Sequence, residues 1–440
     1  MFKRISLLAV LAMVMLLVLA ACGDATSTAP AATTTASAAT TTAAAATTTA
    51  SAATTAAAGN TSTDLGKDIC PNPGTTTWTG EVKIGLMGPF TGPSASLGLA
   101  IQRGATIAIE EINACGGING KKLIAVERDD QAKADIGKVN VEELTGSKDI
   151  AGLVGTANTA VGVVQAPVVN QAKVPWVITV TTGTKVTQDT TSTPSYLFRV
   201  SMVDSEQTPF VAETVLSKYK KVALINDDSS YGQLGKDDVL KVFTAKGVTP
   251  LLVEPYKVGG TADDMKPMLN KVKASGAEVI ISWGLGAENA NIRKAMKDLN
   301  IDLPVYGSWG LSMPVYQTNA GGLEEGTVVP QTISIDTTNP KQLKFFDTYK
   351  KKYNTETVGF PSGLGQSYDG TWIMAIALRQ PGAPESRDKL REALENFGTY
   401  NGLVKTYTSP FKNQYHEAFT KADFFFTVWK SGKMVKLDTK

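Results

Sequence analysis

The 440-residue chain has a single histidine, His416, and only three cysteines, Cys22, Cys70 and Cys115. A Ser-His-Asp triad or a multi-histidine metal site would have to be built on that one imidazole, which lies in a Gln-Tyr-His-Glu stretch read as a solvated loop. There is no surplus of charge of either sign: 43 Lys plus Arg face 41 Asp plus Glu, a formal net charge of +2. Two of those cations, Lys3 and Arg4, fall in a segment read below as removed, so the remainder is formally neutral and carries no basic excess for a nucleic-acid backbone. P-loop, Gly-x-Ser-x-Gly elbow and metal-spaced cysteine cluster are all missing, so the chain is read as a non-enzyme with no metal and no cofactor. Beyond residue 19 no apolar run approaches the ~20 residues of a membrane span.

What is present begins with an address. Lys3-Arg4 precede an apolar run over residues 5–19 broken only by Ser6, followed by Leu19-Ala20-Ala21-Cys22. Charged tip, apolar stretch and small residues before a cysteine form a signal peptide, residues 1–21, with Cys22 as the lipidation site. Residues 25–58 are Ala, Thr and Ser except Pro30. They offer no large apolar group to bury, so residues 22–77 are expected to be a disordered tether with a reach of roughly 40 Å. Cys70 and Cys115 remain, and outside the cytoplasm such a pair is expected to be oxidised to a disulfide joining the tether's end to the loop after the first helix.

From residue 78 short β-branched runs alternate with helical periodicity. Strands are predicted at 82–87, 122–127, 150–154 and 176–180, with helices between them; Ile101, Ala105, Ala108 and Ile112 mark the apolar face of the first. The pattern restarts after residue 200, with strands at 222–225, 249–253, 279–282 and 304–306. Helices follow near 340–353 and 366–378, then a mixed region ending at 424–429. This is an α/β protein with two doubly wound parallel-sheet lobes and a ligand cleft between them, where strand-to-helix loops gather.

Two loops in the first lobe suit an anion: Gly155-Thr156-Ala157-Asn158-Thr159-Ala160 and Val180-Thr181-Thr182-Gly183-Thr184. Each joins small residues and hydroxyls to the positive end of a helix dipole, although Thr and Asn there could instead cap their own helices. In the second lobe, loops 227–232, 283–286 and 307–311 occupy equivalent places. Trp283 and Trp309 sit in them between glycine and serine, as apolar cleft wall or as lobe core.

The run Val82-Lys83-Ile84-Gly85 through Gly88-Pro89-Phe90-Thr91-Gly92-Pro93, then Ile112-Asn113-Ala114 with Gly116-Gly117-Ile118-Asn119-Gly120, and Arg128-Asp129-Asp130 resemble the amino half of type I periplasmic binding proteins of the branched-chain amino-acid class. Residues 228–232 resemble that family's Asp-x-x-x-Tyr-Gly element. The resemblance spans residues 78–440 and implies a two-lobed substrate-binding protein that closes on a small carboxylate and delivers it to an ABC permease in the membrane; with the signal peptide and Cys22 the expectation is a monomeric, extracytoplasmic, lipid-anchored binder. It implies three hinge strands near 199–201, 328–331 and 402–405, with lobe one at 78–199 plus 331–403 and lobe two at 200–330 plus 404–440. The ligand-binding residues it implies are Asn158, Thr159, Thr181, Thr182, Thr184 and Tyr231, to which Trp283, Trp309 and Leu97 are added as candidate ligand contacts. The family's acidic acceptor for a ligand ammonium coincides in this reading with Trp309, which leaves two ligands open: an aliphatic amino acid whose ammonium meets Asp228 or Glu288, or an aromatic or other organic acid stacked on Trp309. A sensor feeding a separate membrane receptor and an enzyme acting on a small carboxylate are the competing readings.

Overall fold

A computed structural model describes residues 69–74, 77–189 and 193–437. The signal segment, Cys22 and most of the expected tether lie outside the described residues.

The first lobe alternates β1 (Glu81–Gly88), α1 (Ala95–Ala114), β2 (Lys122–Asp129), α2 (Ala134–Gly146), β3 (Ile150–Gly155), α3 (Thr159–Ala172), β4 (Trp176–Ile178), the single turn α4 (Lys185–Gln188) and β5 (Leu197–Arg199). Its five strands are all parallel, in the order β2-β1-β3-β4-β5. Strands covered on both faces read as continuous apolar runs, and β4, Trp-Val-Ile, is wholly buried.

The second lobe holds α5 (Asp204–Lys218), β6 (Val222–Asp227), α6 (Ser230–Ala245), β7 (Leu252–Tyr256), α7 (Ala262–Ser275), β8 (Val279–Trp283), α8 (Gly286–Asp298), β9 (Val305–Gly307), α9 (Pro314–Ala320) and β10 (Val328–Gln331). The chain then returns to lobe one as α10 (Pro340–Tyr353), α11 (Pro361–Leu378), α12 (Arg387–Glu395) and the hairpin β11 (Thr399–Asn401) with β12 (Thr406–Thr408). It closes in lobe two with β13 (Phe425–Lys430) and β14 (Lys433–Lys436). The second sheet runs β14-β13-β10-β9-β8-β6-β7, its last two chain-order strands antiparallel.

α11 is buried along its whole length, with apolar and small residues on every side and with Gln366 and Asp369 hydrogen-bonded within the fold. It packs against α1 through Gly104, where a Cβ would meet the Leu364 carbonyl oxygen at 2.5 Å. Any larger residue there would push the two helices apart.

Three chain segments cross between the lobes. The first follows Arg199 and the second follows Gln331, near the expected places. The third differs. Residues 402–405 are the turn of the β11–β12 hairpin, pinned to α11 by Asp369, which accepts from Leu403 N at 2.6 Å and Val404 N at 2.8 Å. The chain stays with lobe one until Glu417 pairs alongside Arg199: Arg199 N donates to His416 O and Ala418 N to Arg199 O, each at 2.9 Å. The boundary at 402–405 was implied by the resemblance alone, and here the chain forms the β11–β12 hairpin before it crosses. His416 is likewise no solvated loop residue: it is buried, stacked on Phe198 at 4.4 Å, with Nδ1 at 2.9 Å from Leu197 O.

The disulfide Cys70–Cys115 is present. Around it, Asn72 N donates to Cys115 O and Arg379 Nη1 donates to Ile69 O at 2.7 Å, so the end of the expected tether is fastened to lobe one. The bridge closes a sequence separation of 45 residues, and loop entropy puts its contribution at about 3–4 kcal/mol. Cys115→Ser, or reduction, is therefore expected to lower the unfolding free energy by that order in urea titrations; unchanged stability would contradict the assignment.

Candidate functional site

The loops leaving the carboxyl ends of both sheets enclose a cavity of about 250 Å³, close to the lower end of the roughly 300–1,000 Å³ typical of small-molecule sites. On lobe one its wall is the start of α1, the N-terminus of α3 and the loop after β4. On lobe two it is the loops after β6, β8 and β9, and Phe360 closes one side from the turn preceding α11.

The α3 end is built to receive an anion. Asn158 is the N-cap residue with extended backbone, but its side chain does not cap the helix. Instead Nδ2 donates to Ser94 Oγ at 3.0 Å, and the buried Oδ1 has no hydrogen-bond partner. No side-chain oxygen caps the start of α3: Val161 N and Gly162 N donate to Asn158 O at 3.0 and 2.9 Å, which leaves the N–H groups of Thr159 and Ala160, together with the positive end of the helix dipole, at the cavity's edge. Asn158 and Thr159 both line the cavity, as do Leu97 from α1 and Thr182 from the β4 loop.

The second lobe's wall is organised by Asp227. Its Oδ1 accepts from Ser229 N at 3.1 Å, Ser229 Oγ at 2.5 Å and Gly232 N at 3.1 Å, while Oδ2 accepts from Leu285 N at 3.3 Å. One carboxyl group therefore fixes both the β6–α6 and β8–α8 loops. Burial raises its pKa, opposed by the bonds from Ser229 and Gly232. Asp227, not Asp228, is the acid four residues before Tyr231; Asp228 is exposed and accepts from Val258 N. Glu288, on the first turn of α8, lines the cavity and accepts from Gly259 N at 2.9 Å.

Tyr231 and Trp309 supply the aromatic surface. Tyr231 lines the cavity, is 7% exposed, and its buried hydroxyl has no hydrogen-bond partner. Burial lifts its pKa well above the ordinary phenol value, so the hydroxyl keeps its proton. Trp309 is held by its backbone N–H donating to Gln207 Oε1 at 2.8 Å, and its ring lies 5.1 Å from that of Phe360. Sequence reasoning missed Phe360, which belongs to neither strand-end loop series.

Three expected residues are not in the wall. Trp283 is fully buried behind it, packed so closely on α6 that a Cβ on Gly235 would lie 2.0 Å from the indole. Thr181 turns its side chain toward Gly162 of α3, while its carbonyl accepts from Ser201 Oγ at 2.9 Å. Thr184 points away and donates to Asp238 Oδ2 at 2.5 Å. In extended backbone successive side chains alternate sides, so only one member of the 181–182 pair can face a ligand.

Behind Thr182 lies Asp204, fully buried, its backbone N–H donating to Thr182 O at 2.8 Å and its Oδ2 unpartnered. Burial pushes its carboxyl up to about 8; the Thr182 hydroxyl and Arg199 pull it down, while Asp238 and Glu417 add to the rise.

Residues 81–433 match the family profile described as periplasmic binding protein. The chain is 27% identical over 363 residues to Leu/Ile/Val-binding protein homolog 3 of Brucella melitensis, covering 81% of this chain and 94% of that one. Among solved structures it is similar to the branched-chain amino acid transporter substrate binding protein of Streptococcus pneumoniae in complex with isoleucine, with 23% identity, TM-score 0.70, and 81% and 100% of the two chains covered. It is also similar to an R. palustris solute binding protein in complex with benzoate, with 18% identity, TM-score 0.71, and 81% and 95% covered. These two structural likenesses bear on the fold alone.

Asp204 makes the site's stability pH-dependent. The unfolded carboxyl releases its proton near 3.8 and the folded one near 8. The group's favourable contribution is thus complete below about 4 and erodes as pH rises toward 8. Asp204→Asn is expected to remove that erosion, so that its melting temperature gains on wild type by several degrees between pH 4 and 8. A constant difference across that range would contradict it.

Proposed function

The chain belongs to the periplasmic binding protein family, of type I, and from that premise we propose that it is the lipid-anchored, extracytoplasmic substrate-binding component of an ABC importer, taking one small carboxylate with an apolar body. Cys22 is the proposed anchor. Among the described residues no helix is long and apolar enough to cross a membrane.

The observation that carries the ligand reading is the uncapped N-terminus of α3. The Asn158 side chain leaves it uncapped, and Thr159 stands beside it with a hydroxyl that can donate to a carboxylate. Leu97 and Phe360 from lobe one and Leu285 and Trp309 from lobe two supply an apolar surface for the ligand's body. Binding between lobes and closing over the ligand removes that surface from water, at roughly 25 cal/mol per Å².

We favour an aliphatic amino acid. Glu288 stands in the second lobe's wall with one oxygen engaged by Gly259, so its other oxygen can take an ammonium that would otherwise be buried unpaired. The relatives named for leucine, isoleucine and valine agree with this class. The second reading, an aromatic or aliphatic acid without an ammonium, has its own observation: Trp309 and Phe360 form an aromatic corner where the resemblance implies an acid.

A thermal-shift panel separates the two. L-leucine and L-valine are expected to raise the melting temperature by several degrees at saturating concentration, and 4-methylpentanoate and benzoate much less. Glu288→Gln is expected to weaken leucine about tenfold or more and leave 4-methylpentanoate unchanged. A shift from benzoate alone selects the second reading. Thr159→Ala with undiminished leucine affinity would remove the proposed carboxylate grip.

A further inference from the structure

Thr184 does not reach the cavity, and its actual partner lies on the other lobe. Its hydroxyl, at the start of α4 in lobe one, donates to Oδ2 of Asp238 on α6 in lobe two at 2.5 Å. The other oxygen of Asp238 accepts from Lys241 Nζ at 2.6 Å, and the Asp238 side chain is 6% exposed. One turn further along α4, Gln188 Nε2 donates to Ser205 Oγ of α5 at 3.0 Å. Two hydrogen bonds thus join a single helical turn of lobe one to two helices of lobe two, outside the ligand wall.

The placement ties these bonds to the cavity. Thr182 faces the cavity, and Thr184, two residues on, faces Asp238, with Gly183 between them accepting from the Arg199 guanidinium at 3.1 Å. A carboxylate that accepts a hydroxyl donor while nearly excluded from water makes a bond stronger than a neutral one. Because this bond runs from one lobe to the other, parting the lobes would break it and return the Asp238 carboxylate to water.

We propose that Thr184 and Asp238 form a latch that holds part of the ligand-free population in the closed arrangement, so that they set ligand affinity without touching the ligand. Apparent affinity scales with the fraction of chains already competent to bind, and the latch raises that fraction. This goes beyond the ligand reading above and does not depend on which carboxylate binds.

The test uses the full chain with spin labels on Val139 of lobe one and Leu251 of lobe two, both exposed, and measures the interlobe distance distribution by pulsed electron resonance without ligand and with L-leucine. Thr184→Val is expected to shift the ligand-free distribution to longer distances and to weaken leucine binding about tenfold. Thr184→Ser, which keeps the hydroxyl, is expected to match wild type in both. A ligand-free distribution unchanged by Thr184→Val overturns the latch, whether or not that variant melts at a lower temperature. If leucine fails to bind wild type, the amino-acid reading falls and the ligand-free distances still decide the latch.

Discussion

Arg199 is a guanidinium with no exposure, and much of the junction is arranged around keeping it charged. Its Nε lies 3.1 Å from Glu417 Oε2; both Nη atoms donate to the Gly183 carbonyl, and Nη2 also donates to the Thr187 hydroxyl. Thr187 in turn donates to Glu417 Oε1. Burial lowers the arginine's pKa and raises that of Glu417, and each charge offsets the other's loss of water. Removing either member would leave a buried charge unpaired, a loss of about 3–5 kcal/mol. The pair joins the first crossing between lobes to the third, and holds the 181–187 segment that carries Thr182 into the cavity.

From that fixed junction the two walls acquire opposite characters. Lobe one presents backbone N–H groups and hydroxyls at α3 and the β4 loop. Lobe two presents Asp227, whose oxygens are occupied by its own loops, and Glu288, which is only partly engaged. A ligand positive at one end and negative at the other fits such an asymmetry, with its apolar part against Trp309 and Phe360. The cavity volume of about 250 Å³ is of the size that takes a small molecule.

The lobes, the parallel sheets and most helices were legible because buried strands and amphipathic helices carry different periods. The disulfide was legible from cysteine count and context. Side-chain direction was not: Asn158, Thr159, Thr182, Tyr231, Trp309 and Leu97 reach the cavity, but Thr181, Thr184 and Trp283 lie in the same loops and face elsewhere. What decides between neighbours is tertiary, such as Gly235 making room for the Trp283 ring. The third crossing was misplaced because the resemblance put it at 402–405, where Asp369 binds the turn of the β11–β12 hairpin to lobe one. Helix α5 was missed because Pro209 within it reads as a helix breaker and its apolar stripe is weak; its buried Asp204 and Gln207 pack toward the junction instead.

The central claim is that one small carboxylate with an apolar body is held between the lobes. Isothermal titration of the full chain with L-leucine at several temperatures tests it most directly. The account predicts one site per chain and a negative heat-capacity change, the sign of apolar surface leaving water. Absence of any heat at millimolar leucine, or binding with no heat-capacity change, would contradict it.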